Sequence, residues 1–424
     1  MKISRRYALK SLLSLISYIS LSKVSFGNNQ ILAGKTVIVI GAGISGLVAA
    51  STLIQKGANV IILEAKNYIG GRIRTDRSLG TPFEYGAGWI HGPSKDNPIR
   101  NLADRTNSSL FVTDDDSCEL LNLSGNYIDE KVWNELEKIW EKIIYDEIDS
   151  NTEGSILDAV NKYDSNIWSN PNIRWIFSAY EEFNYGGPVQ EISAGLINKM
   201  SSFPTADVIF TDGYDKIINL LSKNLQIRTN SIVKSVDYRN TGNIKVSTTS
   251  KNYECDYVIC SIPLGVLKSK SIKFNPTLPR NKQESIEKVG FGTVTKLALK
   301  FTDQFWEDDV QYYYTVAKET GRWPVWMNYR TFSKEKILMG LCMGDYAKKA
   351  DLMSNEELIE DGLNVLKNVW EDDVGEVQSL LRTSWLNDPF TKGAYSFPRV
   401  DNSEKDFENL AEPIDNKLFF CGEH

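Results

Sequence analysis

The chain has 424 residues, of which 24% are charged and 42% apolar, with a formal net charge of −7. That length accommodates two domains or one elaborate one, and the acidic balance disfavours nucleic acid as a partner. Five scattered cysteines make no disulfide framework, and two histidines suggest no metal site. Beyond the N-terminus no apolar run is long enough to span a membrane.

At the N-terminus, Ser4-Arg5-Arg6-Tyr7-Ala8-Leu9-Lys10 resembles a twin-arginine export signal, with Ala8 where phenylalanine is usual. A modestly apolar run, Ser11–Leu21, and then Ser25-Phe26-Gly27 complete the pattern of a signal peptide over residues 1–27. Cleavage near Gly27 is expected, with the twin-arginine export machinery as a partner and a periplasmic or secreted location. An uncleaved anchoring segment is the alternative. This stretch holds five basic residues and no acid, so the mature chain is more acidic still. Such a surface attracts cationic substrates weakly, or simply keeps the protein soluble.

The next stretch reads as a βαβ unit. Thr36–Ile40 is a buried strand, Gly41-Ala42-Gly43-Ile44-Ser45-Gly46 follows at once, and Leu47, Val48, Ala50, Leu53 and Ile54 recur at helical spacing. A second apolar strand, Val60–Leu63, ends at Glu64. Glycines, helix and acid in this register form the dinucleotide-binding fingerprint. Gly41 permits the tight turn, Gly43 lets a pyrophosphate approach the backbone, and Gly46 lets helix and strand pack closely. The helix start at Ile44 and Ser45 offers free N–H groups to phosphate, and Glu64 can accept from ribose hydroxyls. An ordinary glycine-rich turn is the alternative.

Gly70-Gly71-Arg72-Ile73-Arg74-Thr75 can turn a guanidinium back onto a pyrophosphate, or be a solvated loop. Glu84-Tyr85-Gly86-Ala87-Gly88-Trp89-Ile90-His91-Gly92 sets small residues beside Trp89 and His91, which suits backbone lying against a flat ligand. In this order, GAGISGL, LEA, GGRIRT and GAGWIHG resemble the flavin-dependent amine oxidases, which include polyamine oxidases, monoamine oxidases and lysine-specific histone demethylases. The resemblance runs from about Lys35 to the last residue. It implies noncovalent FAD as cofactor, with Gly88 and Trp89 beside it and His91 able to hydrogen-bond the amine.

Val132, Leu136, Ile139, Trp140, Ile143, Ile144 and Ile148 have the spacing of an amphipathic helix with a wide apolar stripe. Glu181-Glu182-Phe183-Asn184-Tyr185 resembles a segment near the substrate channel of polyamine oxidases. Some of these carry an acid near Tyr185; here Glu181 and Glu182 read as solvated or capping charges. Ser231–Val236 is a strand, and the resemblance places the Val233 backbone against the adenine. Tyr257–Leu267 resembles the strand and turn that leave the cofactor domain again.

In Thr295–Phe301 the alternation puts Thr295, Leu297, Leu299 and Phe301 on one face, and Lys296, Ala298 and Lys300 on the other. By pattern alone Lys296 is an exposed strand lysine. The resemblance implies instead that it reaches a water beside the flavin. Ser354 to Glu357 is a capping box that opens a helix. Trp385 and Tyr395 lie in a segment resembling the W…DP…G-x-Y-S run of the histone demethylases and polyamine oxidases. Both would line the flavin, with Tyr395 as an aromatic wall for the amine. The residue before this tyrosine is Ala394, where monoamine oxidases carry the cysteine that bonds the flavin. Leu418 to His424 resembles the last cofactor motif, with Glu423 meeting the ribityl–pyrophosphate region. In the family a further loop and helix follow; their absence after His424 implies weak FAD retention and low turnover in this form.

The expected fold is α/β with an α+β insert: a Rossmann-like FAD-binding domain interleaved with a substrate domain of mixed sheet plus helices. Residues 33–100, 205–265 and 412–424 make the first, and residues 101–204 and 266–411 the second. The expected activity is oxidation of a polyamine or another primary or secondary amine to imine and then aldehyde, with O2 reduced to hydrogen peroxide. Lys296, Tyr395 and His91 are the candidate catalytic residues. Beside it stand a desaturase or protoporphyrinogen-oxidase-like enzyme, whose known members share the FAD domain without the W-I-H-G and G-x-Y-S context, and two further alternatives. One is an L-amino-acid oxidase, for which Arg330 and Arg382 are carboxylate clamps by residue type alone. The other is a non-catalytic flavoprotein-like binding protein.

Overall fold

The computed structural model describes residues 31–197, 205–239 and 242–424. The export signal at residues 1–27 lies outside the described residues.

A five-stranded parallel sheet runs in the order Leu418–Phe420, Tyr257–Cys260, Thr36–Ile40, Asn59–Leu63, Ile227–Arg228. Strands from three distant parts of the chain therefore lie side by side. Val37 and Val39 pack against Leu47 and Ala50 of the Ile44–Gln55 helix. Ile38 and Ile40 face the other way, toward Val236 and Val246 of a four-stranded sheet. Both faces are covered, so these strands read as continuous apolar runs rather than alternating ones. Leu278, Ile286 and Val289 join this second core, as does Leu410. The chain beyond residue 265 thus stays on this layer until Val289, because Lys273–Asn275 pairs in parallel with Val233–Asp237.

The remaining chain builds a six-stranded mixed sheet, ordered Val377–Arg382, Thr295–Phe301, Ile337–Cys342, Val325–Asn328, Tyr312–Thr315, Cys118–Leu121. One face packs Leu297, Leu299 and Phe301 against helices Gly344–Leu352 and Asn355–Trp370. The Ser354–Glu357 capping box is present at the second helix. The other face carries Ala298 into a core of Trp133, Trp140, Trp175 and Phe177. Each fully buried aromatic of this kind stabilises the fold by roughly 2–3 kcal/mol. The expected stripe at 132–148 differs in one place. Val132 is exposed and Trp133 is buried, edge-on to Trp175 and Tyr314. The α-helix Glu130–Glu141 continues as a wider π-type stretch, Lys142–Glu147, which keeps Ile143 and Ile144 inward. Cys255 and Cys260 close two successive strands, and neither they nor Cys342 and Cys421 form a disulfide.

Candidate active site

A cavity of about 350 Å³ opens at the C-terminal end of the parallel sheet. Its floor is the turn after Thr36–Ile40. Gly41 has φ +102°, a conformation that only glycine adopts at ease. A Cβ on Gly46 would lie 2.1 Å from the Gly41 carbonyl oxygen, so helix and strand approach as closely as backbone allows. Ser261 ties the neighbouring strand to this turn by donating to the carbonyls of Ile40 at 2.9 Å and Gly41 at 3.2 Å. A Cβ on Gly43 would meet no protein atom within 4 Å, because the backbone here borders the open cavity. Ile44 and Ser45 line the same space at the helix start.

Glu64 also lines it, and its carboxylate is held by the N–H groups of Ala42 at 2.7 Å and Lys66 at 2.8 Å. Burial pushes its carboxyl above the usual range, with the two N–H groups opposing. Buried Val233 borders the cavity beside it. Against the glycine turn, where a Cβ would lie 3.5 Å from the Gly43 Cα, Gly71 turns the chain with φ +61° and Arg72 follows. The Arg72 guanidinium donates to the Ala394 carbonyl at 2.6 Å and to Glu423 at 3.0 Å. Glu423 accepts in addition from the N–H and hydroxyl of Ser396, at 2.9 and 2.8 Å. Burial works to raise Glu423, but His424, Arg72 and Ser396 outweigh it and hold the carboxyl at about 2. A glycine-floored cleft lined by an acid, Glu64, and an arginine, Arg72, fits a dinucleotide.

Gly88, Trp89, His91, Lys296, Trp385 and Tyr395 do not border this cavity. Contacts join Gly88 and Trp89 to Lys296, while Trp385 meets Lys66 and His91 meets Asp207. Lys296 is 6% exposed, not the exposed lysine of its alternation, because both faces of its strand are covered. Its ammonium donates to the carbonyls of Glu84 at 3.0 Å and Gly86 at 2.6 Å, and lies 5.4 Å from the Trp89 ring centre. A Cβ on Gly88 would sit 3.5 Å from the Lys296 nitrogen. Burial pulls Lys296 down to about 8, while the Glu84 carboxylate pulls the other way. Trp385 donates its ring N–H to the Tyr85 carbonyl at 3.1 Å and stacks under Lys66, which pairs with Asp388. Tyr395 donates to the Phe183 carbonyl at 2.6 Å.

His91 and Trp89 border a separate, small cavity with Asp115, Asp207 and Tyr312. The His91 ring is 68% exposed and shares a hydrogen bond of 2.7 Å with the buried Asp207 carboxylate. Glu181 and Glu182 are not solvated charges. Both are buried, Glu181 accepting from the Trp140 ring N–H and Glu182 from Ser178 and the Val189 N–H. Neither Arg330 nor Arg382 borders either cavity. Arg330 pairs with Asp308 at the surface, and Arg382 donates to the carbonyls of Ala350, Asp351 and Met353.

Sequence reading passed over Lys66, Ser261, Glu84 and Asp207. Glu84 and Ser261 stand inside the quoted stretches Glu84–Gly92 and Tyr257–Leu267, so their position was a signal. Lys66 and Asp207 carry none, since each gains its place only from tertiary contacts, Lys66 with Asp388 and Asp207 with His91.

A family model for flavin containing amine oxidoreductases matches residues 44–424. Polyamine oxidase 2 of Arabidopsis thaliana is 31% identical over 422 residues, covering 94% of this chain and 85% of that protein. Polyamine oxidase 3 of Oryza sativa subsp. japonica is 29% identical, covering 94% and 86%. Lysine-specific histone demethylase 1 homolog 2 of Arabidopsis thaliana is 29% identical, covering 92% of this chain but 55% of its own. With the dinucleotide cleft and these relatives together, the chain belongs to the flavin-containing amine oxidoreductase family, an enzyme family whose cofactor is FAD.

Proposed function

We propose that this protein oxidises a polyamine or another primary or secondary amine to an imine, which water hydrolyses to an aldehyde, with O2 reduced to hydrogen peroxide. The observation that carries the polyamine reading is the small cavity beside Trp89. Two carboxylates, Asp115 and Asp207, border it together with His91 and an aromatic surface, and its volume of about 20 Å³ suits one ammonium-sized end group of a cationic chain. The turn Gly41–Gly46 with Glu64 would hold the adenosine end of FAD, and Arg72 and Glu423 the opposite portion, noncovalently, a reading supported by Ala394 standing before Tyr395 where a flavin-bonding cysteine would be. When bound, the flavin takes two electrons and a hydrogen from the amine carbon and passes them to O2. The protein supplies orientation and proton control. Trp89 and Tyr395 present flat apolar faces that exclude water from the reacting amine. Lys296, with its pKa near 8, holds or releases a proton at its buried nitrogen close to neutral pH. The Asp207 carboxylate fixes one nitrogen of His91 and leaves the other free to meet an amine.

The amino-acid oxidase reading loses its carboxylate clamp, because the two arginines that suggested it are engaged elsewhere. Anaerobic mixing of the flavin-loaded protein with polyamines, monoamines and amino acids tests the choice. Bleaching of the flavin absorbance by polyamines is expected, with peroxide released on admitting air. Bleaching by amino acids alone would overturn the reading. The Ser4–Lys10 motif supports export by the twin-arginine machinery to the periplasm or beyond. Exported protein is then expected to begin near Asn28, and an intact Met1 would refute cleavage.

A further inference from the structure

The segment from Ser178 to Val189 is closed on itself by one side chain. Glu182 accepts from the Ser178 hydroxyl at 2.6 Å and from the Val189 N–H at 3.2 Å, so a single carboxylate ties both ends of the segment. Its backbone carbonyl also accepts from the Gly186 N–H at 2.8 Å. The carboxylate is 2% exposed, and two glycines make its space: a Cβ on Gly344 would lie 2.5 Å from it, and one on Gly321 3.4 Å. The nearest charges are Asp345 and Lys348, on the helix Gly344–Leu352 that packs alongside.

What the closed segment carries is the amine-facing wall. The Phe183 carbonyl accepts from the Tyr395 hydroxyl at 2.6 Å. The Phe183 ring meets Trp89 edge-on, with centres 5.9 Å apart and planes at 81°. Gly186, with φ +75°, lies so near the Tyr395 ring that a Cβ there would come within 2.4 Å of it. The π-type geometry of Ser178–Glu182 is a costly local form that side-chain bonds must sustain, and such stretches recur at functional sites.

We propose that Glu182 is the positioning residue for the aromatic wall, acting through the backbone of Phe183 on Tyr395 and Trp89. This rests on the reading of Tyr395 as a wall for the amine. A buried carboxylate that accepts two hydrogen bonds is replaceable by glutamine, whose oxygen accepts from Val189 and whose amide donates to the Ser178 oxygen. Alanine removes both links.

The test uses flavin-loaded enzyme and whichever of spermine, spermidine and benzylamine reduces the flavin fastest. Wild type, Glu182→Ala, Glu182→Gln, Tyr395→Phe and the double variant Glu182→Ala/Tyr395→Phe are compared for KM, kcat and flavin absorbance. Glu182→Ala is expected to raise KM about tenfold while its flavin spectrum stays that of wild type. Glu182→Gln should recover to within about twofold. The double variant should be no worse than Tyr395→Phe, since the two act on one contact. Should Glu182→Ala yield no folded protein, Ser178→Ala cuts one of the two links and is expected to raise KM about threefold. Effects that multiply in the double variant, or a glutamine variant as poor as alanine, would overturn the proposal. If Tyr395→Phe is itself silent, the wall reading falls and takes this inference with it. If Tyr395→Phe is impaired and Glu182→Ala is not, this inference alone fails.

Discussion

The Lys296 ammonium donates to the Gly86 carbonyl at 2.6 Å, so the lysine buried in the six-stranded sheet is anchored to the glycine-rich loop of the cofactor layer. Replacing it by methionine keeps length and burial but leaves the Glu84 and Gly86 carbonyls unmet. The expected loss of stability is about 1–3 kcal/mol, and turnover should fall by about 10²-fold or more if Lys296 handles a proton. The pH dependence separates the two effects. Charging Lys296 is disfavoured in the fold, with its pKa drawn from 10.5 to about 8. Above pH 8 the unfolded chain therefore binds more protons than the native one, and stability from this group rises toward pH 10.5. A limb near pH 8 in kcat/KM, absent in Lys296→Met, would tie the group to turnover.

Gly43 and Gly46 should respond differently to the same methyl group. In Gly46→Ala the Cβ collides with the Gly41 carbonyl, so the free protein should lose about 1–3 kcal/mol in denaturant unfolding. In Gly43→Ala the Cβ meets no protein atom, and backbone φ is −71°. Stability without cofactor should stay within about 0.5 kcal/mol, while FAD affinity falls at least tenfold in a fluorescence titration. Equal behaviour of the two variants would refute the assignment of the cleft.

Glu182 makes a prediction about stability against pH that is separate from its effect on turnover. Burial raises its carboxyl from 4.5 to about 7, with Ser178 and Val189 opposing. The native state therefore holds a proton that the unfolded chain has released between those values, and stability from this group falls as pH climbs through that window. Glu182→Gln has no such proton. Its melting temperature relative to wild type should improve from pH 5 to about pH 7 and level off above that.

Asp207 holds His91 at the small cavity. Asp207→Asn keeps the volume and removes the charge. For a substrate with several ammonium groups KM should rise about tenfold, and for a monoamine less than threefold. A uniform rise for both would mean that Asp207 orders the loop without recognising charge.

Much of the cofactor cleft was legible in the residues. Gly41, Gly43, Glu64, Gly71 and Arg72 stand within one short stretch, and their chemistry follows from local backbone geometry that strand, turn and helix patterns already dictate. Glu423 and Val233 needed the resemblance, because Glu423 follows a strand of the five-stranded parallel sheet and Val233 opens a strand of the four-stranded sheet, and no local pattern specifies either pairing. The buried side chains were the least legible. Lys296 alternated like a surface lysine, and Glu181 and Glu182 read as solvated charges. In each case the cover comes from elements far away in sequence.

By itself, then, the sequence determined the dinucleotide fingerprint and, through its ordered motifs, the family and its flavin. These rest on short-range order along the chain. Only the tertiary structure decided that Lys296 and Glu182 are interior groups and that His91 leans on Asp207. It also showed that neither Arg330 nor Arg382 faces a site. Burial and pairing depend on which distant segments meet, and a one-dimensional pattern does not contain that information.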